Sequence, residues 1–128
     1  MTVVLDASAV LSVLLAENGA DVVAEHLSAA RLGSVNMSEI LAKLMEYGLS
    51  MRDARRQIVR LELGIHDFDS DQAERSALLR QPTRHLGLSL GDRACLALGQ
   101  QLGLPILTAD RRMAEAKSLL EIDIRLIR

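Results

Sequence analysis

The stretch LSLGDRACLALGQQLGLPILTADRR, residues 88–112, decides the fold class of this chain. Ser89 precedes apolar residues at helical spacing, and residues 104–108 then form a short apolar run typical of a strand. One acid, Asp92, stands in the first turn of the predicted helix, and another, Asp110, follows the predicted strand. A helix and a strand in this order indicate an α/β domain, because a parallel sheet requires helical crossovers between its strands.

The rest of the chain alternates between the same two patterns. Strand-like runs occur at residues 2–5, 32–35, 65–68 and 122–126. Helical patterns occur at residues 7–16, 20–27, 37–47, 51–63, 71–79 and 111–119, and residues 81–87 read as a loop. Strands separated by helices predict a single domain over residues 1–128, with a central, mainly parallel sheet of four to five strands and helices on both faces.

Composition narrows the class of function. Only 2% of the 128 residues are aromatic, so an aromatic stacking platform for single-stranded nucleic acid is excluded. The single cysteine, Cys95, lies in an apolar helical pattern and is predicted to be a buried hydrophobic residue. The N-terminus lacks a basic leader, and no run reaches the length of a membrane span, so we expect a cytoplasmic protein without membrane contact.

Four acidic residues follow predicted strands or begin predicted helices: Asp6, Glu39, Asp92 and Asp110. In a parallel sheet, ligands bind beyond the carboxyl ends of the strands, where the strand order reverses. Each acid also has a structural explanation, since Asp6 and Asp110 fit helix N-caps and the other two fit the capping-box spacing. As a set, however, the acids would repel one another at one sheet edge unless a cation neutralised them.

The residue types favour a hard cation. Carboxylate oxygens select Mg²⁺ or Mn²⁺ over Zn²⁺, and His26, His66 and His85 are scattered without the spacing of metal ligands. Neither a GxxxxGK[ST] loop nor a GxGxxG fingerprint occurs. Without the four acids, the chain has 13 acidic residues against 15 basic ones, so its remainder is weakly basic and suits a polyanion.

Three stretches, VVLDASAVLSVLLAE, NMSEILAKL and residues 88–112, resemble the PIN-domain ribonucleases, and among them the VapC-type toxins of toxin–antitoxin pairs. The resemblance covers nearly the whole chain and implies a three-layer α/β/α fold. It also implies that the four acids are catalytic and bind the metal. Polar support would come from Ser8, Asn36 and Thr108, and Glu115 is a weaker candidate because it also fits a solvated helix face.

The resemblance further implies hydrolysis of RNA phosphodiester bonds by metal-activated water, leaving a 3′-hydroxyl and a 5′-phosphate. The implied cofactor is Mg²⁺, with Mn²⁺ able to substitute. Arg93, Arg111 and Arg112 lie close to the acids in sequence and are candidate phosphate contacts. A cognate VapB-type antitoxin and a homodimer are the implied protein partners.

Alternatives stay open at this point. A PIN nuclease of RNA processing would carry the same acids and have no antitoxin, whereas a non-catalytic binding module of this fold would carry only some of them. The amphipathic segment at residues 41–63 fits either an antitoxin-binding groove or a buried helical pair.

Overall fold

The computed structural model describes residues 1–128. The strands are β1 (Val3–Leu5), β2 (Ala30–Gly33), β3 (Gly64–His66), β4 (Ile106–Thr108) and β5 (Ile124–Leu126). The helices are α1 (Ala7–Leu14), α2 (Ala20–Ala24), α3 (Ser34–Glu46), α4 (Met51–Val59), α5 (Ser70–Leu78), α6 (Leu90–Leu102), α7 (Arg111–Ala114) and α8 (Ala116–Leu120). None of these helices is long and apolar enough to cross a membrane.

The five strands form one sheet in the order β3-β2-β1-β4-β5, and every neighbouring pair is parallel. The predicted parallel sheet is therefore confirmed, with five strands. The chain winds outward from β1 in both directions, so the strand order reverses between β1 and β4. This switch point is where an open α/β sheet leaves a crevice beyond the strand ends.

Two apolar clusters cover the two faces of the sheet, which gives the predicted three layers. Along β1, Val3 and Leu5 pack into the cluster that holds residues of α1, α3 and α4. Val4 faces the other way, into the cluster that holds residues of α6, α7 and α8. This alternation is the side-chain period of a strand buried on both faces. Cys95 belongs to the second cluster and is a free, buried thiol, as predicted.

Several boundaries differ from those predicted. The second strand ends at Gly33 and α3 begins at Ser34, although residues 32–35 were predicted as the strand. Gly33 has an extended backbone and is the N-cap of α3, so the β-branched Val35 already lies in the helix. The predicted helix at residues 111–119 is divided at Glu115 into α7 and α8.

Candidate functional site

Asp6 lies directly after β1 and caps α1. Its Oδ1 atom accepts hydrogen bonds from the Ala9 amide (2.9 Å) and the Ser8 hydroxyl (2.7 Å), and its Oδ2 atom accepts one from the Thr108 hydroxyl. Asp6 is only 4% exposed. Burial raises the pKa of Asp6 from 3.8 to about 6, against the lowering effect of these hydrogen bonds, and the negative charge of Asp92 adds to the rise.

Two hydroxyl groups connect Asp6 to the end of β4. Ser8 Oγ accepts a hydrogen bond from the Ala109 amide at 2.9 Å, and Thr108 Oγ1 accepts one from the Asp110 amide at 2.9 Å. The predicted supporting residues Ser8 and Thr108 therefore both contact the Asp6 carboxylate. Their bonds hold the ends of the two strands that flank the switch point in a fixed relation.

Glu39 lies on the second turn of α3 and reaches α6. Asn36 donates through its Nδ2 atom to Glu39 Oε1 at 2.8 Å and to the Gly91 carbonyl at 3.1 Å. A Cβ atom on Gly91 would lie 2.4 Å from Glu39 Oε2, so only glycine leaves room for the carboxylate there. Although Glu39 is exposed as a residue, burial against α6 raises the pKa of its carboxyl. The Asn36 hydrogen bond opposes that rise, and the charge of Asp92 adds to it.

The capping-box explanation of Glu39 is wrong. Because α3 begins at Ser34, Asn36 lies inside the helix and its side chain points to Glu39 and α6. Asn36 is 2% exposed, and its Oδ1 atom is buried without a hydrogen-bond partner. Gly91 was not predicted as a site residue, and the signal for it is a glycine near the start of a strong helix, where glycine is unfavourable.

Asp92 is a cap and a member of the acidic group at once. Its Oδ2 atom accepts a hydrogen bond from the Ser89 amide at 3.0 Å, while Ser89 Oγ accepts one from the Asp92 amide at 3.2 Å. The capping box is therefore confirmed. Burial is the main cause of the raised pKa of Asp6 and Glu39, and the charge of Asp92 adds to both, so its carboxylate is within electrostatic range of both.

Asp110 lies at the same edge but faces its own helix. It is the N-cap of α7, and its Oδ1 atom accepts a hydrogen bond from the Arg112 amide at 2.9 Å. Its Oδ2 atom lies 3.6 Å from Arg112 Nη2. Asp92 thus interacts electrostatically with both Asp6 and Glu39. No group of three or more His, Cys, Asp or Glu side chains is arranged as a ready metal cage.

The candidate phosphate contacts differ in their surroundings. Arg93 is half-buried, and its Nη1 atom donates to the Ser76 carbonyl of α5 at 3.0 Å. Arg111 and Arg112 are exposed at the start of α7. Glu115 is exposed and makes no side-chain hydrogen bond or ion pair, which fits the solvated helix face considered for it.

The donor set fits a hard divalent cation. The acids at the switch point offer oxygen atoms only, and the Asn36 amide that holds Glu39 is neutral. Burial, and to a smaller extent the charge of Asp92, raises the pKa of Asp6 and Glu39, and a bound cation would lower both values. Oxygen-only ligation is the preference of Mg²⁺ and Mn²⁺.

Comparisons with known proteins agree with the fold. Three similar solved structures are a toxin–antitoxin complex from Klebsiella pneumoniae (20% identity, 98% of each chain, TM-score 0.71), DNA-bound VapBC from Salmonella typhimurium (17%, 100% of this chain and 99% of that one, 0.72) and VapBC2 from Rickettsia felis bound to a promoter DNA fragment (13%, 98% of each, 0.73). No curated protein matches the chain. The PIN-domain family model matches residues 3–119, and the chain therefore belongs to the PIN-domain family.

Proposed function

We propose that this protein is a metal-dependent endoribonuclease and the toxin component of a VapBC-type toxin–antitoxin pair. The observation that carries the proposal is the position of three acids near the β1/β4 switch point: Asp6 follows β1 and is hydrogen-bonded by Thr108 of β4, and Glu39 lies against Gly91, the neighbour of Asp92. Burial, and to a smaller extent the charge of Asp92, raises the pKa of Asp6 and Glu39. The position is the ligand-binding crevice of an open α/β sheet. The carboxylates are of the kind that phosphodiesterases use to hold divalent cations.

In this proposal, Asp6, Glu39, Asp92 and Asp110 hold Mg²⁺, or Mn²⁺ in its place. A bound divalent cation supplies Lewis acidity, which lowers the pKa of water and stabilises charge on the phosphate. The protein keeps its carboxylates in place through neutral donors. Ser8 and Thr108 hold Asp6, and Asn36 holds Glu39 against α6.

Positive charge at the mouth of the site complements the phosphates of RNA. Arg111 and Arg112 are exposed immediately after Asp110 and present guanidinium groups, which bind phosphate through two parallel hydrogen bonds. The bond from Arg93 to the Ser76 carbonyl holds that guanidinium group on α5. We therefore assign phosphate binding first to Arg111 and Arg112.

We also propose a VapB-type antitoxin as the protein partner, together with a homodimer. The support is the match of whole chains to toxin–antitoxin complexes, which extends over 98–100% of this chain in the three structures described. The inner face of α3 and α4 is buried in the core, as a helical pair. Their outer face exposes apolar side chains suited to an amphipathic partner, namely Met45, Tyr47, Met51 and Val59.

The non-catalytic binding module has one observation in its favour. Three of the four acids cap helices, and the carboxylates do not converge as a metal cage. A purely structural role as helix caps does not explain Glu39, because Glu39 caps no helix. Its contacts with α6 are made through Asn36 and Gly91. A role for Glu39 in the site accounts for this contact.

Expression of the protein alone tests the proposed function. Wild type should arrest growth and generate new RNA ends with 5′-phosphates, whereas Asp92→Asn should do neither at the same protein level. Asp21→Asn is the matched control, because it removes the same charge from an exposed acid in the first turn of α2. Full toxicity of Asp92→Asn would exclude this catalytic set.

A second arm of the experiment separates the toxin from a nuclease of RNA processing. Co-expression of the short open reading frame next to the gene should restore growth if that frame encodes the antitoxin. Growth arrest that no neighbouring frame relieves, combined with metal-dependent RNA cleavage, would support the processing nuclease instead.

A further inference from the structure

A cleft lined by two arginines lies in the loop between α5 and α6. Its volume is about 180 Å³, and its lining residues are Arg80, Thr83, Arg84, Gly87 and Leu88. The Thr83 hydroxyl is buried and donates to the Leu79 carbonyl at 2.7 Å. The two guanidinium groups are thus the charged groups that this cleft offers to a ligand.

Neither arginine is neutralised by the protein. Arg80 and Arg84 are exposed and take part in none of the ion pairs of the structure, and no acidic residue lines the cleft. Arg75 on α5, by contrast, is paired with Asp71 at 2.9 Å. Adjacent, unpaired guanidinium groups repel each other and therefore favour a bound anion.

A third arginine stands at the rim of the cleft. Arg112 Nη1 lies 3.8 Å from the position that a Cβ atom on Gly87 would occupy, so its guanidinium group is above the Gly87 turn. Arg112 belongs to α7 and is also the partner of Asp110. The cleft is in this way continuous with the acidic edge of the sheet.

The short chain segment between Gly87 and Ser89 limits the distance from the cleft to Asp92. Gly87 and Ser89 are two residues apart, so their Cα atoms are separated by no more than about 7 Å. The Ser89 amide donates directly to Asp92 Oδ2 at 3.0 Å. An anion in the cleft would therefore be a close neighbour of a phosphate at the acidic group.

We propose that Arg80, Arg84 and Arg112 form a subsite for a backbone phosphate of single-stranded RNA, next to the phosphate that is cleaved. The inference rests on the proposed function for its choice of RNA. A guanidinium group matches phosphate with forked, charge-assisted hydrogen bonds, and the absence of aromatic residues here leaves the backbone as the part of RNA that is recognised. The subsite would position the chain without reading its sequence.

RNA binding without cleavage tests this subsite. The probe is a fluorescein-labelled single-stranded RNA oligonucleotide, its anisotropy titrated with protein in EDTA at salt concentrations from about 50 to about 200 mM. The double variant Arg80→Gln/Arg84→Gln should bind about tenfold more weakly or worse. The slope of log affinity against log salt should become shallower by about 0.7 for each phosphate that the variant leaves without a positive charge.

The matched control removes the same charge from the other face of the sheet. Arg52 and Arg55 are exposed, unpaired arginines of α4 that line a separate cleft, so Arg52→Gln/Arg55→Gln should leave affinity and slope close to wild type. Equal losses in the two double variants would overturn the subsite and indicate general charge attraction. Unchanged binding by the first variant, or no binding by wild type, would also overturn it.

Failure of the proposed function would be seen separately. Arg80 and Arg84 make no side-chain hydrogen bonds, so both double variants should unfold at the wild-type temperature, which a melting curve checks. Wild type that binds RNA through the cleft but cuts none with Mn²⁺ would refute the nuclease and leave the subsite in place.

Discussion

Replacing Asp6 by Asn should stabilise the metal-free protein at neutral pH. The pKa of Asp6 rises from 3.8 to about 6 on folding. One pKa unit corresponds to about 1.4 kcal/mol, so the ionised carboxylate lowers the free energy of unfolding by about 3 kcal/mol. Asp6 is 4% exposed, so solvent does not screen this effect away.

Because the pKa of Asp6 is higher in the folded protein than in the unfolded chain, the free energy of unfolding depends on pH between these two values. Between about pH 4 and about pH 6 the folded protein keeps the Asp6 proton, whereas the unfolded chain has released it. The free energy of unfolding of wild type therefore falls as pH rises through this window and changes no further above it. Asn resembles the protonated acid and retains an oxygen for the Ala9 amide, so the variant lacks this dependence.

The free energy of unfolding of Asp6→Asn should differ from that of wild type by under about 1 kcal/mol at pH 4. It should exceed the wild-type value by about 2 to 3 kcal/mol at pH 7 and above, where about 1 kcal/mol is allowed for the altered bond to Thr108. Urea denaturation in EDTA, followed by far-UV circular dichroism, measures it, because the chain has no Trp for fluorescence. Urea is uncharged and does not screen the acids.

Asp21→Asn provides the control, since Asp21 is exposed and its neutralisation should change stability by no more than about 0.5 kcal/mol at any of these pH values. A difference between Asp6→Asn and wild type that stays constant from about pH 4 to about pH 8 would refute the reasoning. So would a variant less stable than wild type at neutral pH, which would reduce Asp6 to a structural cap.

Three further predictions concern the rest of the site. Gly91→Ala should leave the free energy of unfolding unchanged or raise it by up to about 1 kcal/mol, because alanine favours the helix and the displaced Glu39 carboxylate is flexible. RNA cleavage by this variant should fall sharply. Melting curves and a cleavage assay check the two outcomes. Asn36→Ala should lower the free energy of unfolding by about 1 to 3 kcal/mol, measured in urea, since it removes the buried donor to Glu39 and Gly91. Mn²⁺ at about 100 times its Kd should stabilise wild type by about 2.7 kcal/mol and Asp92→Asn by much less, measured by thermal unfolding; equal gains would exclude Asp92 as a ligand.

Much of the fold follows from local signals in the sequence. Ser89 and Asp92 form the capping box that their spacing predicts, and the short apolar run before Asp6 is a strand buried on both faces. The end of the second strand was predicted two residues too late, because Val35 has a high strand propensity. The helix begins at Ser34 because of tertiary contacts of Gly33 and Asn36, which a local pattern does not report.

The acids of the site could be predicted from the sequence, whereas the contacts between them and the neighbouring helices could not. The approach of Glu39 to Gly91 joins two helices that are far apart in sequence, so no local pattern reports it. The cleft between α5 and α6 likewise arises from a stretch that reads as an ordinary loop, and its arginines converge with Arg112 only in three dimensions. Periodicity predicts elements, whereas contacts between elements depend on packing.

Cleavage of labelled single-stranded RNA by the purified, antitoxin-free protein tests the central claim most directly. The acidic group predicts cleavage with Mn²⁺ or Mg²⁺, none in EDTA, and loss of cleavage in Glu39→Gln, the one acid of the four that caps no helix. Circular dichroism should show that this variant remains folded. Cleavage that persists in EDTA, or that Glu39→Gln retains in full, would contradict a metal-dependent nuclease built on these carboxylates.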